Sequence, residues 1–148
     1  MRISARVLGA DDLARAFAER AGRSDAAAQV ALEESAQIIA AEAQRLITDG
    51  PKTGRIYKKY RPRREHQASA PNEPPASDLG TLVAGVVIDR ADVSQGRITV
   101  ESTAAHSKPL EFGTRHMAPR PFLRRAMKSS QRAVVQAFVA AYNRLRRR

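Results

Sequence analysis

Residues Leu110 to Ala126 leave the backbone few routes. Leu110-Glu111-Phe112 is cut off by Gly113-Thr114, and Pro119 and Pro121 then lead into an apolar repeat that begins near Phe122. Gly113 suits a backbone position that a side chain would obstruct. Pro121 fits the first turn of a helix, where its missing N–H costs nothing and its φ is already helical. The stretch predicts a rigid corner feeding a helix. It carries no pattern of a catalytic centre.

The helix it feeds is legible from spacing. Leu123, Met127, Ser130, Val134, Phe138, Ala141 and Leu145 recur at alternating four- and three-residue steps, one face of a helix from about Phe122 to Arg146. A second stripe, Leu32, Ala36, Ile39, Ala43 and Leu46, has Glu33, Glu34, Gln37 and Gln44 largely off it. Ser24 or Asp25 caps that helix, and Asp49-Gly50-Pro51 stops it after about Thr48. Ahead of it, Leu13, Phe17 and Ala21 predict a brief helix ending at Gly22.

Strand patterns fill the remainder. Ile3, Ala5 and Val7 alternate with Arg2, Ser4 and Arg6 in a short strand over Arg2 to Leu8. Leu82 to Ile88 is a continuous apolar run, predicted as a strand buried on both faces or at a subunit contact. Asp92 to Gly96 supplies turn residues, and Arg97 to Ser102 alternates Ile98 and Val100 against Thr99 and Glu101, completing a β-hairpin. The order β-α-α-loop-β-β-α predicts the α+β class: a small antiparallel sheet, formed by the N-terminal strand and the hairpin, packed with the two long helices. A chain of 148 residues suits one domain, 1–148, with a loop inserted at about 50–77.

That loop holds five of the eight prolines and almost no aliphatic residues. A loop this long is expected to be functional, or flexible until bound. Its first half carries Lys52, Arg55, Lys58, Lys59, Arg61, Arg63 and Arg64 with no acidic residue, and Tyr57 and Tyr60 lie among them. Positive charge interleaved with aromatics suits a phosphate-tracking, stacking surface. The same composition suits an arm docking on an acidic neighbour subunit, or simply a solvated loop. Its second half, Ala68 to Ser77, is Pro-rich and nearly neutral. From Phe112 to the end there is no Asp or Glu, and the whole chain has a net charge of +11. Such a field favours nucleic acid, an anionic membrane surface or an acidic protein as partner.

Enzyme chemistry finds little support. His66, His106 and His116 show no HxxxH or HExxH spacing, and there is neither a Ser-centred glycine elbow nor a phosphate-binding glycine loop. Asp78 and Glu111 are not paired carboxylates by any sequence rule. The chain has no cysteine, which excludes disulfides and thiolate metal sites. No catalytic residue, cofactor or metal is therefore expected. No stretch approaches the roughly 20 apolar residues of a membrane span, so no membrane partner is expected and the chain reads as soluble and unsecreted.

Three groups of residues resemble a known family. Leu110-Glu-Phe-Gly-Thr114, then Met117-Ala-Pro-Arg-Pro-Phe-Leu123 opening the last helix, and upstream Ala70-Pro-Asn-Glu-Pro-Pro-Ala76 with Asp78-Leu-Gly-Thr-Leu82, are similar to the tail-completion, or neck, proteins of long-tailed siphophages, grouped around a minor tail component of a Hong Kong-type lambdoid phage. The helix Ala26 to Ile47 followed by Pro51 and Thr53-Gly54 fits the same layout, so the resemblance runs over most of the chain in order. Where family members often carry an aromatic ahead of Glu-x-Gly-Thr, this chain has Ala105 to Pro109.

The resemblance implies a structural virion protein and not an enzyme. It implies a homo-oligomeric, expected hexameric, ring at the head–tail junction, with tail-completion or tail-terminator role. Head-connector and tail proteins would be its neighbours, and DNA would pass through the lumen. Leu110, Glu111, Phe112, Gly113, Thr114, Pro121 and Phe122 would then shape a subunit contact, and the basic loop would reach a neighbouring ring or the DNA. The location implied is a virion or phage-like particle, assembled in the bacterial cytoplasm. A non-sequence-specific nucleic-acid-binding protein is the alternative reading.

Overall fold

The computed structural model describes residues 3–6, 24–61 and 63–146. The expected helix through Leu13, Phe17 and Ala21 lies outside the described residues. Two long helices, α1 (Ser24–Asp49) and α4 (Leu123–Arg146), form the framework. They run antiparallel, with Arg144 holding Glu34 at 2.7 Å while Ser129 Oγ donates to Glu42 at 3.0 Å. Their shared face is rich in alanine: Ala31, Ala36, Ala40 and Ala43 on α1, and Ala126, Ala137 and Ala141 on α4, are all buried. Small side chains allow the helix axes to approach closely, and Ile39, Val134 and Phe138 are buried among them.

The α1 stripe read from spacing is buried throughout, and Ile47 joins it. On α4, Leu123, Ser130, Val134, Phe138 and Ala141 are buried as expected, whereas Met127 is only half-buried.

A three-stranded antiparallel sheet packs on this pair in the order β1 (Ile3–Arg6), β5 (Thr99–Ser102), β4 (Val86–Asp89). Ser102 of β5 stands opposite Ile3 on one side and Val86 on the other. The architecture is α+β, with the N-terminal strand and the hairpin sharing one sheet. Being central, β5 buries Glu101 as well as Val100, so its alternation does not mark a wet face.

Two expectations about elements need correction. The apolar run Leu82 to Ile88 is not one strand. Its first half forms a single helical turn, α2 (Thr81–Ala84), and only β4 is extended. A short apolar run reads equally as helix or strand by periodicity. Here Gly85 closes the turn, and its carbonyl accepts from Thr103 N at 2.9 Å, so the chain enters the sheet only at Val86.

The segment 50–77 is likewise not an irregular loop. It contains a two-stranded antiparallel ribbon, β2 (Ile56–Tyr60) and β3 (Arg63–Gln67). The strands pair from Ile56↔Gln67 to Tyr60↔Arg63.

The corner is tighter than the sequence implies. Leu110-Glu111-Phe112 ends a short helix, α3 (Ser107–Phe112), which Gly113 closes by donating to Pro109 O at 2.9 Å. Gly113 has φ 77 and ψ 179, and a Cβ there would lie 2.8 Å from Met117 O. That backbone region is essentially reserved for glycine. Thr114 and Met117 bridge across the turn, and Arg120 N donates to Leu110 O.

Candidate functional site

The register of the ribbon divides its side chains between two faces. Tyr57, Lys59, Arg64 and His66 lie on one, and Ile56, Lys58, Tyr60, Arg63, Glu65 and Gln67 on the other. The first face turns toward Asp78, which follows the Pro-rich segment. Lys59 Nζ pairs with Asp78 Oδ2, an Arg64 guanidinium nitrogen lies 3.1 Å from Oδ1, and His66 Nδ1 is 3.7 Å from the same oxygen. The Lys59 hydrogen bond, then the charges of Arg64 and Lys59, hold the Asp78 carboxyl below its ordinary range.

The seven cations read as one basic loop therefore have different jobs. Lys59 and Arg64 fasten the ribbon to the body. Lys52 donates to Thr48 O at 2.6 Å and covers an open carbonyl at the end of α1. Arg55, Lys58, Arg61 and Arg63 remain exposed, with Tyr60 at 77% and Tyr57 at 48% exposure beside them. The Arg55 guanidinium sits 5.6 Å from the Tyr57 ring centroid, and Lys58 reaches Glu65 only at 3.8 Å. The two strands pair chiefly with each other, and above the base of the ribbon the Asp78 carboxylate ties it to the body.

The arm's anchor yields a prediction. A folded-state pKa below the unfolded value means stabilisation that is present above the unfolded carboxylate pKa and lost as pH falls through the folded one. The ribbon is expected to loosen on acidification below about pH 4, the ordinary Asp range, and to be loose at neutral pH in Asp78→Asn. Amide hydrogen exchange over 56–67 should be severalfold faster in that variant, with α1 and α4 unchanged. Equal exchange in the two proteins would refute the anchor.

The Pro-rich half of the segment is built against the corner. Asn72, in the left-handed region at φ 66, donates its N–H to Pro119 O at 2.9 Å, and Arg125 donates to Asn72 O at 2.9 Å. Glu73 accepts from Thr53 N, Thr53 Oγ1 and Ala70 N, and these bonds, the Thr53 side chain first, lower its pKa. Pro74 and Pro75 are buried.

The seven corner residues assigned to a subunit contact also divide. Glu111 and Phe122 are 1% and 0% exposed within the chain itself, so they have no surface to offer a neighbour. Phe112 and Thr114 are exposed, and Leu110, Gly113 and Pro121 are half-buried. Glu111 instead caps α4. Its Oε2 accepts from Phe122 N at 2.8 Å and Leu123 N at 3.0 Å, and its Oε1 from Arg124 N at 3.0 Å and Arg124 Nε at 3.1 Å. A carboxylate at a helix N-terminus satisfies orphan donors and meets the positive end of the dipole. The signal that points to this role is that Glu111 is the last acid in the chain, standing ahead of a Pro-x-Pro helix start.

A cleft of about 330 Å³ opens between the base of the ribbon, the Pro-rich segment and α3. His66, Asp78, Thr81, His106 and Arg120 contribute its polar wall. Sequence spacing could not have brought these residues together. No helix among the described residues is long and apolar enough to cross a membrane. The class of the molecule is thus α+β with a tethered basic arm. No protein-family model, curated protein or solved structure matches the chain.

Proposed function

We propose that this chain is a structural component of a phage neck, one subunit of an oligomeric ring that joins the tail to the DNA-filled head. The observation that carries the reading is the division of labour in the basic segment. Inner cations fasten a two-stranded arm to the body, while Arg55, Lys58, Arg61 and Arg63 stay exposed on it. A subunit facing a DNA channel needs sequence-independent positive charge on a support of fixed shape. The corner motif and the order of elements, similar to those of the siphophage tail-completion proteins, support the same reading. Its partners are further copies of itself in an expected hexamer, and the adjoining head-connector and tail proteins. Its place is the virion or a phage-like particle. The role requires no catalysis and no cofactor.

Replacement of Arg55, Arg61 and Arg63 by alanine tests this. Because all three are exposed, stability should stay within about 0.5 kcal/mol of wild type. Particles assembled with the variant should fail at head–tail joining. If the arm meets phosphates, the log–log salt slope of DNA retention should fall by about 3. Normal joining would remove the arm from the mechanism.

The alternative, a free-standing nucleic-acid-binding protein of no sequence preference, draws on Arg55 over Tyr57 and the open Tyr60 ring. Tight, salt-sensitive DNA binding by the isolated monomer, without incorporation into particles, would favour it over the neck.

A further inference from the structure

We propose that the cleft beside the ribbon receives a carboxylate side chain, flanked by apolar residues, from a partner protein. The argument begins with Arg120. Its side chain is half-buried in the cleft wall, and its Nε, like those of Arg64 and Arg97, is buried without a hydrogen-bond partner. One terminal nitrogen donates only to Met117 Sδ at 3.7 Å, and a thioether is a weak acceptor. Arg64, Arg90, Arg97, Arg124 and Arg144 each have a carboxylate within ion-pair distance. Among the described residues Arg120 has none. Glu73 feels it through space, but that carboxylate is already committed to Thr53 and Ala70. A guanidinium drawn part-way out of water without a counter-ion is costly. An arriving carboxylate would meet the terminal nitrogens of the guanidinium, whose positive charge is delocalised over all three nitrogens, and so relieve that cost.

The rest of the wall selects the kind of carboxylate. Pro75, Leu79, Leu82 and Leu110 supply apolar surface, and Leu79 is 71% exposed at the mouth. The Asp78 charge is already matched by Lys59 and Arg64, so it does not repel an incoming anion at full strength. A volume of about 330 Å³ is at the small end of ligand pockets, roughly 300–1,000 Å³. It fits a glutamate or aspartate with part of an apolar neighbour. A nucleic-acid backbone would reach Arg120 but leave the leucine and proline surfaces unmatched. The exposed arm, not this cleft, has the chemistry for phosphates. The proposal stands whether or not the protein forms a neck ring.

The test is a titration followed by proton–nitrogen NMR, using the capped peptide acetyl-Leu-Glu-Leu-amide and its Gln counterpart. The expected result is movement of the Arg120 Nε–Hε signal and of the Leu79 and Thr81 amides, half-complete near a Kd of about 1 mM, as for a single anchored side chain. The Gln peptide should move them at least severalfold less. Arg120→Gln should abolish the response at Leu79 and Thr81. Leu79→Glu, at an exposed position, should weaken binding by charge repulsion even if Arg120→Gln folds poorly. No movement, or equal movement with both peptides, would overturn the proposal. So would a stronger response at the same signals to a short thymidine oligonucleotide, which would assign the cleft to phosphate.

Discussion

Glu111→Ala is expected to lower stability by about 3 kcal/mol, because it leaves three buried or part-buried backbone donors without an acceptor at roughly 1 kcal/mol or more each. For a chain of this size that is a fall in Tm of about 6–12 °C, measurable by calorimetry or circular dichroism. The cost falls on the start of α4, the helix that supplies half of the central seam. Two further variants separate cap from ion pair. Glu111→Gln keeps an oxygen acceptor in place and should cost about 1–2 kcal/mol. Arg124→Ala removes a side chain that is 56% exposed, so solvent screening limits its loss to under about 1 kcal/mol. If Glu111→Ala were no less stable than Arg124→Ala, the capping role would be wrong and the residue would be only the ion-pair partner of Arg124.

The second large effect separates two phenylalanines of the same corner. Phe122→Ala should cost about 3–5 kcal/mol, the usual range for emptying a buried aromatic site, since Phe122 is fully enclosed within the core. Phe112→Ala should cost under about 1 kcal/mol, because Phe112 is 55% exposed, with the Arg124 guanidinium 5.2 Å from its ring centroid. Urea unfolding of the two single variants decides the matter, with unchanged slope marking a change in stability alone. A comparable loss in both would mean that Phe112 is covered in solution, as it would be in an oligomer. The pair therefore also reports on whether the exposed part of the corner meets a second copy.

These cases show what was readable in advance. The stripe Leu32 to Leu46 and the helix after Pro121 are set by spacing and by start and stop residues within one element, which are local properties. Leu82 to Ile88 was misread because an apolar run lacks periodicity, and its split at Gly85 depends on contacts with Thr103 and Ala104. The ribbon is not legible because β3 is wholly polar and Ile56, Tyr57 and Tyr60 of β2 are exposed, so no buried face marks the strands. The division of their cations into anchored and exposed appears only once Asp78 is known to sit under one side.

By itself the sequence determined the α+β order, the two helix stripes, the glycine at Gly113 and the net positive charge. Each follows from the covalent chain and its local preferences. Only the tertiary structure decided that Glu111 caps α4, that Lys59 and Arg64 are anchors while Arg61 and Arg63 are free, and that Arg120 faces a cleft without a counter-ion. Those outcomes depend on which distant groups share a few ångströms. Hydrogen bonding and charge pairing act over that distance, whatever the separation along the chain.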